Sequence, residues 1–217
     1  MNKVGQDKVI SLARRMGLKT PLGRNLSLAL GTSEAILLEL TSTYNCLASS
    51  GVSIEPLGLA QVTDQTGRVI YQARPKRTAA MSAETAYILT DMLKGVITDG
   101  TGRRAQVLNR PLAGKTGTTD NSRDALFIGY SPEITAGVWV GYDSTVLLGR
   151  DETGARAALP IWVDFMGEAL KDRPVRDFDK PANVVMIPMD RITGRRATAS
   201  TFDSVEAAFK VGTGPKK

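Results

Sequence analysis

The sequence has 217 residues, of which 42% are hydrophobic and 6% aromatic, and its 28 basic and 22 acidic residues give a formal net charge of +6. A chain of this length and composition can bury a core, and we expect one globular domain with an appendage. The basic excess is spread along the chain, so it indicates a mildly basic surface compatible with an anionic polymer and gives no argument for nucleic acid binding. The sequence contains no histidine, which excludes catalytic sites and metal sites that need imidazole; we expect no metal and no cofactor.

Two further observations concern location and redox chemistry. No apolar run approaches the roughly 18 residues of a membrane helix, and residues 1–7 lack the apolar core of a signal peptide. We therefore predict no membrane segment and no targeting signal in this chain. The single cysteine, Cys46, lies on the apolar face of a predicted helix, which favours a packed side chain over a nucleophile.

The first half of the chain is predicted to contain three helices and one hairpin. Apolar residues at helical spacing predict helices over residues 6–16, 32–50 and 82–98, the second with Ile36 on its core face and the third capped by Ser82. Residues 18–31 read as irregular. Alternation predicts strands over 57–62 and 69–71 around a turn at 64–67, followed by a polar link at 74–77.

The second half is predicted to contain an antiparallel meander and one helix. Strands over 112–118, 125–130 and 134–142 are joined at 119–123 and by the Ser131-Pro132-Glu133 turn. Pro160 suits the first turn of a helix that presents Trp162, Phe165 and Met166 to the sheet. From residue 173 the composition changes to proline and charge, so we assign 1–172 to the domain and 173–217 to a peripheral extension with a frayed end.

The first strand of the meander carries Gly114-Lys115-Thr116, which has two interpretations. A phosphate-binding loop requires a glycine where this sequence has Asn109, a free donor where it has Pro111, and a helix where it has a turn and another strand. The alternative is the K-T-G element of penicillin-interacting serine enzymes, which lies on an edge strand beside the active-site cleft. The tripeptide alone is too common to be decisive, because a basic residue near a turn often has no functional role.

Six ordered segments over about 150 residues decide it, because together they are far more specific than the tripeptide. The segments are Leu30-Gly31-Thr32-Ser33-Glu34, Gly100-Thr101-Gly102, Ala113-Gly114-Lys115-Thr116-Gly117-Thr118-Thr119, Phe127-Ile128-Gly129-Tyr130, Val138-Trp139-Val140-Gly141-Tyr142-Asp143 and Pro160-Ile161-Trp162. On these segments, in this order, the chain resembles the transpeptidase domain of class A penicillin-binding proteins, and it is similar to the C-terminal portion of that domain.

The resemblance implies an α+β fold of the β-lactamase/transpeptidase type, with an antiparallel sheet flanked by helices. It also implies serine acyl transfer on the D-Ala-D-Ala end of peptidoglycan stem peptides during cell wall synthesis, with β-lactams trapping the acyl-enzyme. The parent protein would act on the extracytoplasmic, periplasmic face of the inner membrane.

The same resemblance assigns roles to four residues. Lys115 is the catalytic residue, approaching the S-x-N serine and favouring proton transfer to the leaving amine. Thr116 and Thr118 face one way and bind the substrate's terminal carboxylate, and the N–H of Thr118 supplies half of an oxyanion hole. Gly117, like Gly114, keeps the strand bare for the substrate backbone, although simple turn-making would also explain these glycines.

The chain departs from the family pattern because it contains neither S-x-x-K nor S-x-N. We therefore expect the nucleophile to lie in a missing N-terminal part of the domain and the isolated chain to be inactive. Without the helix that bears the serine, an apolar face would be exposed, which favours self-association or marginal folding. A non-catalytic module that binds peptidoglycan or a protein is the alternative, and a β-lactamase-like hydrolase is a third reading.

Overall fold

A computed structural model of the chain describes residues 2–118, 123–144, 146–149 and 152–215. The fold is α+β, with antiparallel strands flanked by helices, as the sequence predicted. The α-helices are α1 (Gln6–Arg15), α2 (Leu37–Ala48), α3 (Ala83–Thr98) and α4 (Leu159–Leu170). The strands are β1 (Val52–Ile54), β2 (Gln61–Thr63), β3 (Val69–Gln72), β4 (Arg77–Ala79), β5 (Ala113–Thr118), β6 (Asp124–Tyr130), β7 (Thr135–Gly141), β8 (Val184–Asp190) and β9 (Ser204–Lys210). Short 3-10 helices cover Leu26–Leu30 and Arg103–Leu108, and a π-helical turn covers Gly154–Ala158.

The central sheet has the order β5-β6-β7 and is antiparallel throughout, which confirms the predicted meander. The β6–β7 turn is closed by Ser131, whose N–H donates to the carbonyl of Ile134 at 2.9 Å and whose hydroxyl accepts from the N–H of Glu133 at 3.1 Å. The predicted connection at 119–123 lies, apart from Arg123, outside the described residues.

Helix α4 covers one face of this sheet. The ring of Trp162 packs edge-on against that of Phe127, with centroids 5.0 Å apart, and its indole N–H donates to the carbonyl of Ala136 at 3.0 Å. Trp162 and Met166 are fully buried, as predicted, but Phe165 is 54% exposed. The prediction for Phe165 was wrong because the buried positions follow a stripe of one-turn steps through 162, 166 and 170, and position 165 lies beside that stripe.

Helices α2 and α3 cover the opposite face. There the hydroxyls of Thr90 and Tyr130 are 2.9 Å apart in the interior, and Tyr44 packs edge-on against Tyr130. Burial raises the pKa of the Tyr130 phenol, so the group stays neutral and can donate. Cys46 on α2 is fully buried, as expected for a packed side chain.

Helix α2 begins later than predicted. Thr32 and Ser33, where the helix was predicted to start, instead bind the preceding irregular segment: Thr32 Oγ1 lies 3.0 Å from Ser27 Oγ, and Ser33 Oγ accepts from the N–H of Gly23 at 3.0 Å. The helix starts at Leu37 without a side-chain cap, and Ile36, predicted to face the core, is 58% exposed. Local hydrogen bonding of the Ser and Thr hydroxyls therefore outcompeted helix formation at 32–36.

The β structure between α2 and α3 also differs from the prediction. The hairpin is confirmed, but its first strand covers only Gln61–Thr63, and residues 57–60 are not strand. The stretch read as a polar link ends in β4, which pairs with β1. The β1–β4 pair joins segments more than twenty residues apart, and each strand has only three residues. A strand this short shows too little alternation of apolar and polar residues to be predicted from sequence.

The C-terminal extension contains a hairpin of β8 and β9, in register from Val184↔Lys210 to Asp190↔Ser204. It packs on α3, where Asp91 Oδ2 accepts from the N–H of Ala208 at 2.9 Å, and Val184 is buried. The segment before it places Phe178 edge-on against Tyr130, with centroids 5.5 Å apart. The boundary at residue 172 stays a prediction, and of the expected frayed end, residues 216 and 217 lie outside the described residues.

Replacing Gly129 by alanine should destabilise the fold by roughly 1–3 kcal/mol, because the new Cβ would lie 2.7 Å from the Trp162 ring and 2.9 Å from that of Phe127. Urea denaturation followed by circular dichroism measures the change. The matched control is Gly58→Ala, whose Cβ enters open space and should change the unfolding free energy by less than about 0.5 kcal/mol. Equal effects of the two variants would contradict the close packing of α4 on β6.

Burial raises the pKa of the Cys46 thiol to about 11. Between the ordinary thiol pKa of about 8.5 and that value, the folded state keeps the proton and the unfolded state loses it. The unfolding free energy should therefore fall as pH rises through this window, and more steeply than in a Cys46→Ala variant. Denaturation series from pH 8 to 11 measure both slopes, and identical slopes would show that the thiol is not buried.

Candidate functional site

Strand β5 holds the four residues singled out by the sequence, and in the described part of the chain it pairs with a strand on one side only, namely β6. Lys115 and Thr118 are exposed, whereas Thr116 and Gly117 are half-buried. The strand therefore has one edge available for backbone pairing, and its polar side chains lie at the surface rather than in the interior.

The strand register places these side chains on two faces. Thr116 lies opposite Phe127 and Thr118 opposite Ala125, on the face that α4 covers. Lys115 lies opposite Ile128, on the face of α2 and α3. Since directly paired residues share a face, the two hydroxyls are on one side of β5 and the ammonium on the other.

The hydroxyl of Thr118 is held from outside the sheet. The N–H of Gly154, the first residue of the π-helical turn before α4, donates to Thr118 Oγ1 at 3.1 Å. Because an N–H can only donate, the hydroxyl proton of Thr118 is left for another acceptor. This arrangement prepares Thr118 to donate to an anion. No motif or periodicity in the sequence points to Gly154 as part of the site.

The hydroxyl of Thr116 also has a partner that sequence reasoning did not assign to the site. Thr101, in the loop that follows α3, places its Oγ1 2.7 Å from Thr116 Oγ1. The signal was present in the sequence, because Gly100-Thr101-Gly102 is one of the segments that carry the family resemblance. The resemblance assigned no role to Thr101.

Lys115 extends back along its own strand. Its Nζ donates to the carbonyl of Thr116 at 2.9 Å, and it forms no ion pair with any residue that the structure describes. The exposed side chain leaves the ammonium accessible to a ligand.

The glycines of β5 have packing reasons of their own. A Cβ on Gly114 would lie 2.9 Å from both the Phe127 ring and the carbonyl oxygen of Ile128. A Cβ on Gly117 would lie 3.2 Å from Leu126 Cβ, and one on Gly154 would lie 2.6 Å from the carbonyl oxygen of Gly117. Close approach of neighbouring chain segments therefore accounts for glycine here without invoking a turn.

Away from β5, a groove lies between α1, the start of α2 and the β1–β4 pair. It contains none of the predicted site residues. Its charged groups are largely engaged within the fold: Lys19 pairs with Glu55 at 3.5 Å, and Glu39 accepts three hydrogen bonds from Lys19 and Thr20. The Thr20 hydroxyl is the main reason that the pKa of Glu39 is lowered. We therefore place the candidate site at β5, where chemistry-bearing side chains converge on an open strand edge.

Two absences hold for the described residues. They contain no group of three or more His, Cys, Asp or Glu side chains suited to a metal ion. None of their helices combines the length and apolar character needed to cross a membrane.

Replacing Gly154 by alanine should push the π-helical turn away from β5, because the new Cβ would meet the Gly117 backbone. We expect a loss of roughly 1–3 kcal/mol in unfolding free energy and faster hydrogen exchange at the Gly154 amide. Gly167→Ala on α4 is the matched control, since its Cβ would lie 3.4 Å from a Leu108 methyl group. Unchanged exchange at residue 154 would show that the turn is not seated on the strand.

Comparison with known proteins supplies the family. The model of the penicillin binding protein transpeptidase domain matches residues 5–166. Penicillin-binding protein 1A of Aquifex aeolicus is 38% identical over 218 residues, covering 99% of this chain and 29% of that protein. The chain therefore spans less than a third of that relative's length.

Solved structures agree in fold. The crystal structure of penicillin-binding protein 1A from Haemophilus influenzae superposes with a TM-score of 0.86 and 25% identity, over 100% of this chain and 40% of that one. The PonA1 protein of Mycobacterium tuberculosis, solved in complex with penicillin V, superposes with a TM-score of 0.69 and 24% identity, over 80% of this chain and 52% of that one. The architecture is thus the β-lactamase-like fold of penicillin-binding transpeptidase domains. The chain belongs to the penicillin-binding protein transpeptidase family, with class A members among its relatives.

Proposed function

We propose that the chain is the C-terminal part of the transpeptidase domain of a class A penicillin-binding protein, and that β5 is the substrate-binding strand of a peptidoglycan D,D-transpeptidase. The parent protein would act at the extracytoplasmic face of the inner membrane. The observation that carries the proposal is the pair of threonine hydroxyls on the α4 face of an edge strand whose other face carries Lys115.

Thr116 and Thr118 suit a terminal carboxylate. Their side chains lie two residues apart on one face, and the N–H of Gly154 satisfies the Thr118 oxygen so that its proton can point to a ligand. Hydrogen bonds to an ionised acceptor are roughly twice as strong as neutral ones. A stem peptide ending in D-Ala-D-Ala could add as a further strand at the open edge, with its carboxylate between the hydroxyls.

Lys115 and the backbone of Thr118 would supply the chemistry of the acyl transfer. A serine oxygen attacks the carbonyl of the penultimate D-alanine, the C–N bond to the last D-alanine breaks, and the leaving amine takes a proton. The ammonium of Lys115 favours that transfer by holding the proton-carrying serine nearby. The N–H of Thr118 stabilises the oxyanion, where losing one donor costs roughly 2.7–4 kcal/mol. An acceptor amine then takes the acyl group from the serine.

The attacking serine would come from a part of the parent protein outside this chain. The sequence has no S-x-x-K and no S-x-N, and the chain covers only 29% of the Aquifex relative and 40% of the Haemophilus structure. The missing part would also bring the S-x-N serine that Lys115 approaches. β-Lactams would acylate the complete protein, since the PonA1 structure holds penicillin V in the same fold.

A second candidate rests on the missing nucleophile motif itself. A chain with a carboxylate-binding strand and no attacking serine could serve as a non-catalytic module that binds stem peptides. The reading frame upstream of Met1 separates the two, because the first candidate requires it to continue through S-x-N and S-x-x-K.

Fluorescent penicillin tests the proposal directly. The 217-residue chain alone should remain unlabelled, and the longer gene product should be labelled covalently. Lys115→Ala in the longer protein should slow labelling by roughly 10²-fold or more, as expected for loss of a proton-transfer group. Lys171→Ala, an exposed lysine at the end of α4, is the matched control and should label normally.

Two results would contradict the proposal. Labelling of the isolated chain would show that a nucleophile is present within it. A longer gene product that binds stem peptides without ever being acylated would favour the non-catalytic module.

A further inference from the structure

The loop between α3 and the following 3-10 helix reaches the substrate-binding strand through one residue. Thr101 Oγ1 lies 2.7 Å from Thr116 Oγ1, at the short end of hydroxyl hydrogen bonds, and both groups lie at the surface. Thr116 is one of the two hydroxyls proposed to bind the carboxylate. The position of Thr101 therefore bears on how that carboxylate is recognised.

The backbone of this loop is closely fixed. The N–H of Gly102 donates to the carbonyl of Val96 at 2.9 Å, and a Cβ on Gly100 would lie 2.9 Å from the same carbonyl oxygen. At the start of the loop, Asp99 pairs with Arg191 of the C-terminal extension at 3.1 Å. Thr101 is thus presented to β5 by a short segment tied at both ends to the fold.

The direction of the Thr101–Thr116 hydrogen bond decides what Thr116 can do. Each hydroxyl has one proton and two lone pairs. If Thr116 donates to Thr101, its proton is used and it can only accept, which gives no attraction to a carboxylate. If Thr101 donates to Thr116, the Thr116 proton is free to donate onward, and the first bond polarises the second.

We infer that Thr101 is a positioning residue of the carboxylate site, donating to Thr116 so that Thr116 donates to the terminal carboxylate of the stem peptide or β-lactam. This inference rests on the proposed function. Gly154 stands in the same relation to Thr118: in both cases a donor from a neighbouring segment fills a threonine oxygen on the α4 face of β5. The two threonines would then present their protons together to one anion.

The test uses the longer gene product and compares benzylpenicillin with its methyl ester, which lacks the negative charge. Thr101→Val removes the hydroxyl at nearly constant volume and should lower the second-order rate constant of acylation by benzylpenicillin roughly fivefold to tenfold, because the neutral hydrogen bond that orients and polarises the Thr116 donor is lost. The rate constant for the ester should change less than about twofold. Thr101→Ser keeps the hydroxyl and should restore the rate with the free acid.

Thr98→Val is the matched control, since the Thr98 hydroxyl also lies at the end of α3 but donates to Asp99 at 2.9 Å. It should leave both rate constants unchanged. If Thr101→Val slows the acid and the ester equally, Thr101 only supports the fold and the inference is overturned. If Thr101→Val acylates normally, the inference fails while the proposed function stands. A wild-type protein that is never acylated contradicts both.

Discussion

The contact on which the site depends is the seating of α4 and its preceding π-helical turn on the bare surface of β5 and β6. An edge strand is hydrogen-bonded to the sheet on one side only, so packing on its faces adds to that pairing in fixing its position. Trp162 lies over Gly129, and Gly154 lies over the Gly117 backbone. Burying an aromatic of this size removes about 150–250 Å² from water, a large contribution for one side chain. Glycine at both positions is what lets the helix approach closely enough to fix β5.

With the strand fixed, its two faces can serve different chemical purposes. Neutral hydroxyls line the side that the helix covers, where each threonine oxygen meets a partner from another segment. The lysine occupies the other side, facing solvent within the described part of the chain. Under the proposed function, this separation would let directed hydrogen bonds bind a carboxylate while the ammonium stays available for proton transfer.

Periodicity and motif reading recovered the elements whose signal is local. The meander, the capped helix α3 and the buried Cys46 follow from alternation, a Ser82 cap that accepts from the N–H of Thr85, and helical spacing. The family and the strand that bears the site also came from the sequence, because six segments in order are a far stronger signal than one tripeptide.

What the sequence could not supply are contacts between distant segments. The β1–β4 pair and the Gly154–Thr118 hydrogen bond join residues 23 or more positions apart. The late start of α2 was missed for a different reason. The hydroxyls of Thr32 and Ser33 form hydrogen bonds with the preceding loop, and helix propensity does not take such hydrogen bonds into account. The role of Thr101 depends on a distance of 2.7 Å that no spacing rule reports.

The aromatic contact between Phe178 and Tyr130 bears on how the end of the chain relates to its centre. Tyr130 is the last residue of β6 and lies opposite Ala113, the first residue of β5, so the segment assigned to the extension packs against the start of the strand that carries Lys115. A protease cut after residue 172 would uncover a phenol ring that the fold keeps dry, two pairing positions from Lys115.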